Sequence, residues 1–457
     1  MSNGIEKIGK KDVVWSFFST FFFIGSNIIL LPLILHEMPS AMVAVWSIFQ
    51  VISGLVHLLD FGFRPSFARN VSYIFSGVQK LQVEGVLQAE ETGSVNYKLL
   101  KTSLHAMQSF YRWMALSVLV LMLIAGSAYV YLIILPQYSE SQIDLLLAWM
   151  MLIMVNCYNL YTLYYDALLL GKGYVKQSQQ ITILGQVLYL SVSVVLILFG
   201  CGLTAIVSAQ FVSVFTRRIL SYRVFFNKEL IEHLAQVQEE NYREILSIIS
   251  PNAIKVGLTN LGGFLVSRSS VLMGSAFLTL EQIACYSITY QVIDVIAKCS
   301  TVYYQANVPK IAEFRASRNI MSLRNLFKNS IVLMIIVYVA FGGAFILLGD
   351  FAMMLIESDT TFLPVSLSVV LLVISLLEHN HSIAAGFIAA DNRIPFFVPS
   401  LLSGLATVIF LWLFLSPFNM EIWGVILAPG AAQLVYQNWK WPSMVIKELY
   451  LKNYSKI

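Results

Sequence analysis

Lys255 and Arg268 lie inside one apolar stretch, Pro251 to Ser275, and Lys298 lies inside the next. A charge in such surroundings costs several kcal/mol unless a partner or a water-filled cavity receives it. Cations held there bind anions, and the planar guanidinium of Arg268 is well shaped for phosphate. Lys255 sits about four residues, ~6 Å, from the end of its stretch. It either faces a cavity or snorkels to the interface. Arg268 is deeper, and either faces a cavity or pairs with an acid. On a regular helix the two stand ~140° apart, so they share one cavity only if the helix bends around Gly262 and Gly263. Asn260, between them, is a further polar candidate, with Asn252, Thr259 and Ser267 beside it. Asp294 and Lys298 are four apart, share a helix face and are expected to pair. That pair serves structure, substrate binding or ion coupling.

A second polar cluster is Glu378, His379, Asn380 and His381. Glu378 and His381 are three apart, so one helix face holds both. An acid and a histidine at membrane depth carry protons or hydrogen-bond polar ligands. His379 and His381 are only two apart and point to different faces, which argues against a metal site. Gly25, Ser26, Asn27 and Pro32 mark a polar, flexible point in the first apolar stretch, with Asn27 as the candidate there. That stretch has no acid between Val13 and Leu35. Cys157, Cys201, Cys285 and Cys299 show no metal-ligand or redox spacing and read as small apolar residues. No phosphate loop, Walker motif or nucleophile triad appears, so no cofactor and no ATP hydrolysis are expected.

These residues are carried by membrane-spanning elements. The 457 residues are 58% hydrophobic and 12% charged, against about 45–50% and about 25% in soluble proteins. Apolar windows recur at Val13–Leu35, Ala41–Phe63, Trp113–Leu135, Ile143–Leu169, Ile181–Phe199, Leu203–Phe225, Pro251–Ser275, Glu281–Tyr303, Ser330–Leu348, Phe362–Ala389, Ile394–Leu415 and Ile422–Ile446. Each is near the ~20 residues a bilayer requires. Alternate connections are short, DFAMMLIESDTT being among the longest. The other connections carry the charge. Of 29 Lys and Arg, all but Lys255, Arg268 and Lys298 fall at one side. The positive-inside rule then puts both termini and every basic loop in the cytoplasm. The net charge of +4 thus reflects topology and implies no nucleic-acid partner. The first apolar run is longer than a signal-peptide core and lacks a small-residue cleavage site, so it is read as a retained span. Residues 64–112 and 226–250 are expected as amphipathic helices on the inner surface. Asp60 and Arg64, four apart, are expected to form an interfacial salt bridge, and Asp166 is read as structural.

The halves repeat. The stretch from GKGYVKQSQQ through Gly185, Gly202 and Gln210 has a counterpart from ADNRIPFF through Gly404, Gly424 and Gln433. The expected architecture is all-α and integral to the membrane. About twelve transmembrane helices form two six-helix parallel repeats around a central cavity. Residues 1–226 form the first half, 227–250 a cytoplasmic linker helix, and 251–457 the second half.

The six-plus-six pattern, the LLDFGFRPSFARN ending of the second span, the NVPKIAEFR segment and the GKGYVKQSQQ and ADNRIPFF turns resemble the polysaccharide transporters. These belong to the multidrug/oligosaccharidyl-lipid/polysaccharide (MOP) exporter superfamily, and the likeness is to O-antigen and capsule repeat-unit flippases. The resemblance implies a flippase for an undecaprenyl-pyrophosphate-linked oligosaccharide in a bacterial inner membrane. It also implies a cationic cavity between the halves. A working monomer is expected, with glycan-assembly enzymes as partners. Lys255, Arg268 and Lys298 are then the expected cavity cations. Asp294, Glu378, His381, Asn27 and Asn260 are the expected polar or ion-coupling residues. A cation-coupled drug or metabolite antiporter of the same superfamily is the second reading. Several such antiporters carry a coupling acid in the first span, which this chain lacks. A glycan polymerase is the third, and the short outer loops disfavour it.

Overall fold

The computed structural model describes residues 10–78, 81, 95–390 and 395–451. Helix dominates throughout, and the twelve apolar windows each fall on helical segments. In the first half these are α1 (Lys10–Glu37), α2 (Ser40–Leu58), the short α3 (Phe63–Phe75), and α4 (Tyr97–Leu121). Wider helical turns and the single turn α5 (Ser127–Tyr129) continue the α4 span. Then come α6 (Gln142–Tyr161) with α7 (Tyr164–Lys172), α8 (Val175–Leu198) and α9 (Gly202–Phe225). A short α10 (Lys228–Gln236) leads to α11 (Tyr242–Gly274), α12 (Leu280–Ser300), the short α13 (Val302–Ala316) and α14 (Ile320–Leu355). The chain ends with α15 (Val365–Ala389), α16 (Phe397–Leu415), α17 (Glu421–Leu434) and α18 (Gln437–Ile446). A short extra helix follows the second long helix of each half.

The distribution of polarity is that of a protein solvated by lipid. Leu347 and Phe199 are 81% and 79% exposed, whereas Ser193, Thr407 and Gln433 are buried at 0%, 0% and 2%. The most apolar window of α14 is only 17% buried within the protein. Such a helix loses its solvation in water and keeps it in hydrocarbon. Among the described residues, eight helical stretches are long and apolar enough to cross a membrane. The remaining windows lie on α1, α11, α12 and the α17–α18 pair. Charges lower the hydropathy of α11 and α12, and a break at Val435–Tyr436 divides the last window. The chain is a multi-pass membrane protein.

Two compact units are present. One comprises residues 1–38 and 52–257, the other residues 39–51 and 258–457. In the first, α8 lies along α1 and α9, α6 along α9, and α3 along α7. In the second, α16 lies along α17, α15 along α18, and α12 along α14 and α15.

Several expectations are corrected. Residues 227–250 are not one helix. α10 stops at Gln236, and the connection to α11 is latched to α4 by Lys101 Nζ on the Val237 carbonyl and by Lys98 on Glu240, at 2.7 and 2.6 Å. α11 begins before Pro251 and runs through it, and through Gly262 and Gly263, without interruption. Gly262 serves close packing rather than a break, whereas Gly263 faces open space. A Cβ on Gly262 would stand 2.5 Å from the Ser400 carbonyl carbon, and one on Gly404 would stand 2.7 Å from the Gly262 oxygen. Small residues let two helix backbones meet at this crossing, and the Ser400 hydroxyl reaches the Thr259 carbonyl at 3.2 Å. The first half of the DFAMMLIESDTT connection is helical, because α14 continues to Leu355.

Asp60 and Arg64 form no side-chain ion pair among the described residues. Phe61 and Gly62 both take positive φ, 46° and 73°. The turn brings the Asp60 carboxylate onto the Arg64 backbone N–H at 3.2 Å, and Asp60 also accepts the Tyr111 hydroxyl proton. The carboxylate therefore caps α3 instead of meeting the guanidinium.

Replacing Gly262 by Ala is expected to lower stability by ~1–3 kcal/mol, as overpacking does. Gly343→Ala, where the new methyl meets nothing within 4 Å, is expected to be neutral or to stabilise by up to ~1 kcal/mol through helix propensity. Thermal unfolding of the two variants in detergent checks both.

Candidate functional site

The second unit gathers most of the expected site residues. On α12, Tyr286, Tyr290, Asp294 and Lys298 follow one another at intervals of four, which lines them along one helix face. Lys298 Nζ lies 2.8 Å from Asp294 Oδ2, and Arg268 Nη2 of α11 lies 3.5 Å from the same oxygen. Arg268 also stands over the Tyr290 ring, 5.1 Å from its centroid, a favourable cation–π placement. One carboxylate thus answers two cations, and the cluster keeps a net positive charge. Arg268 and Asp294 are partly buried, and half of the Lys298 side chain is accessible. The expected isolated Asp294–Lys298 pair is a triad.

Beside it, a cavity of about 170 Å³ is lined by Glu378, His381, Ser382, Ser400, Gln433 and Gln437 with apolar neighbours. Glu378 and His381 share this cavity because their three-residue spacing sets them on one face of α15. His381 Nδ1 lies 2.8 Å from Asn438 Oδ1. That oxygen only accepts, so Nδ1 carries the proton and Nε2 is left as an acceptor. Gln433 is 2% exposed, and neither its Nε2 nor its Oε1 has a hydrogen-bond partner. A buried amide without partners is costly, and this one belongs to the lining of the cavity. Glu378 is within electrostatic range of Arg268 and Tyr290, so triad and cavity act on one another. Among the described residues no group of three His, Cys, Asp or Glu is placed to hold a metal.

The structure does not bring Lys255 to this cluster. The uninterrupted α11 puts positions 255 and 268 ~140° apart around its axis, and Lys255 belongs to the first compact unit. Its side chain and that of Asn27 on α1 lie outside the described residues. Asn260 is exposed on α11.

The first unit holds a network that spacing alone did not single out. Arg217 and Arg218, which the charge count set with the basic side although the sixth window contains them, lie inside α9. Arg218 is 3% exposed. It donates to Asp166 Oδ1 and to Asn159 Oδ1, both at 2.6 Å. Asn159 Nδ2 lies 3.0 Å from His57 Nε2, and Asn156 Nδ2 donates to Ser53 Oγ at 3.1 Å. The sequence signal is three polar residues on the fourth span, Asn156, Asn159 and Asp166. Only Asp166 is ionisable, so only it stood out.

No protein-family model matches this sequence, and no curated protein matches it. Solved structures do. The chain is similar to a multidrug resistance MATE family transporter of the MOP superfamily in an inward-facing conformation, with a TM-score of 0.65 at 14% identity over 95% of this chain and 96% of that one. It is similar to the lipid II flippase MurJ in an inward closed conformation, with a TM-score of 0.62 at 11% identity over 95% and 87% of the two chains. A MATE structure in a bent conformation gives 0.54 at 15% identity over 97% and 99%. The fold is that of MOP-superfamily transporters. These three matches include multidrug resistance and lipid II flippase structures, and none of the three is an O-antigen or capsule flippase.

Arg218→Leu leaves Asp166 without its cation and is expected to cost about 3 kcal/mol or more, as removal of one partner of a buried pair does. Arg218→Lys is expected to recover only part of this, because an ammonium lacks the fork that serves Asp166 and Asn159 together. Thermal unfolding of both variants measures the difference.

Proposed function

We propose that this protein is a transporter that moves an undecaprenyl-pyrophosphate-linked oligosaccharide across a bacterial inner membrane by alternating access. O-antigen, capsule or exopolysaccharide synthesis is the destination. The observation that carries the reading is the Arg268–Asp294–Lys298 triad. Its surplus positive charge, set within membrane-spanning helices, suits a pyrophosphate. The partly exposed Tyr290 beside it offers a ring on which a sugar face packs. The similarity to a lipid II flippase supports the fold's capacity for a lipid-linked glycan, and the basic loops support cytoplasmic termini. Glycan-assembly enzymes belong to the same reading as partners, and a monomer as the working unit.

A second reading, a cation-coupled antiporter, has its own observation in its favour. Glu378, His381 and the unpartnered Gln433 surround a cavity of about 170 Å³, a setting that accepts a proton or a small cation. In the flippase reading the same cavity supplies coupling or binds part of the glycan.

The test is transport in reconstituted vesicles loaded with a pyrophosphate-linked oligosaccharide lipid that carries a reporter on its glycan. Protein-dependent exposure of the reporter to an outside probe is expected. Arg268→Gln is expected to slow it at least tenfold while the variant stays folded, and Lys298→Gln less, because Lys298 is more exposed. Undiminished transport by Arg268→Gln removes the triad from the mechanism. Failure of lipid movement, together with proton- or sodium-driven efflux of an organic cation that Glu378→Gln abolishes, decides for the antiporter.

A further inference from the structure

A cavity of about 330 Å³ in the first unit opens among α3, α7, α8 and α9. It is separate from the triad and from the Gln433 cavity. Arg64 of α3 and Arg217 of α9 line it, with Asp166, Ser178, Gln179 and Thr182. The acid in this lining is already matched, since Asp166 takes Arg218 at 2.6 Å. Asp60 is committed as well, to the Arg64 N–H and the Tyr111 hydroxyl. Among the described residues no carboxylate lies within ion-pair distance of the side chain of Arg64 or Arg217.

Arg217 is held in place by a shaped slot. Gly185 of α8 leaves room for its stem, and a Cβ there would stand 2.4 Å from Arg217 Cγ and 2.5 Å from Cδ. The Nε of Arg217 is buried and has no hydrogen-bond partner. The guanidinium that this slot positions lines a polar cavity beside a second guanidinium, and neither has a carboxylate within ion-pair distance among the described residues. Two planar forks grip a tetrahedral phosphate through several charge-assisted hydrogen bonds. The Ser178 hydroxyl and the Gln179 amide supply neutral donors. Thr182 gives its proton to the Ser178 carbonyl at 2.9 Å and contributes bulk rather than a donor. The volume admits a phosphate or diphosphate group, and it lies at the small end of ligand pockets.

We propose that this cavity is a binding site for the phosphate group of an anionic ligand, held by Arg217 and Arg64 and completed by Ser178 and Gln179. The group comes either from the headgroup of an anionic membrane lipid or from a free phosphate or pyrophosphate anion. The site does not depend on the transport reading, because neither arginine belongs to the Arg268 triad.

The test is thermal unfolding of the purified full-length protein in neutral detergent, with ionic strength held constant by chloride. One arm titrates inorganic pyrophosphate. The other titrates phosphatidylglycerol against phosphatidylcholine. A ligand that binds the folded state raises the midpoint with its concentration. Wild type is expected to rise in at least one arm, and the arm that responds identifies the source. Arg217→Gln and Arg64→Gln are each expected to weaken the apparent affinity tenfold or more, and Arg223→Gln, at an exposed position of α9 outside the cavity lining, to leave it unchanged. Arg64 is exposed on its helix, so its substitution tests the site even where Arg217→Gln does not fold. The proposal is overturned if neither ligand shifts the wild type beyond the chloride control. It is equally overturned if Arg64→Gln binds as wild type does, or if Arg223→Gln loses as much affinity as the two cavity variants.

Discussion

Hydrocarbon offers no hydrogen bonds, so every charge carried into it is answered inside the protein. This constraint organises both units. Arg218 is met by Asp166 and Asn159, and Arg315 is met by Glu448 and the Phe387 carbonyl. Each of these two arginines is paired with a carboxylate, although its Nε has no partner, and the partners hold elements together that stand far apart in sequence. Arg268 and Lys298 share a single carboxylate. Arg217 and Arg64 have none among the described residues. The contrast separates cations that lock helices from cations that remain available to an anion. An unmatched cation inside a span is costly, and that cost is the reason to connect Arg268 and Arg217 with ligands.

Glycine does the complementary task of bringing chain segments close. Gly257 packs on Phe61 so tightly that a Cβ would fall 2.4 Å from the Phe61 Cα. Gly262 and Gly404 let α11 and α16 cross at backbone contact. Gly185 admits an arginine stem. In each case the missing side chain is a space that another element fills. Without a hydrophobic drive between helices in lipid, such close approach is a main source of packing energy.

Much of the architecture was legible in the sequence, because hydropathy in a membrane protein is nearly a direct readout of solvent. All twelve apolar windows fall on helices. The i,i+4 spacing of Asp294 and Lys298 announced their pair, and the three-residue spacing of Glu378 and His381 announced their common face. The misreadings have physical causes. A bend at Gly262 and Gly263 was the condition for Lys255 and Arg268 to share a cavity, but α11 runs through both glycines as one helix. Asp60 and Arg64 were paired by spacing, but two positive-φ residues between them turn the carboxylate onto the backbone. Arg218 was counted with the basic side, because its buried acceptors lie 52 and 59 residues away and no local pattern reveals them. The same distance hid Arg217's cavity, which α3, α7, α8 and α9 together create.

α14 has a consequence of another kind. Its 36 residues span ~54 Å, whereas the uncharged run Ile331–Leu348 spans ~27 Å. Lys328 stands just before that run and Asp350 just after it. The run therefore works as a gauge of bilayer thickness, close to the ~30 Å of a typical hydrocarbon core. In a thicker bilayer the charges at its ends are drawn inward or the lipid thins around them. In a thinner one the helix tilts. The lipid composition around this protein thus bears directly on the orientation of its longest helix, and through the α14 contacts with α12 and α15 on the helices that carry Asp294 and Glu378.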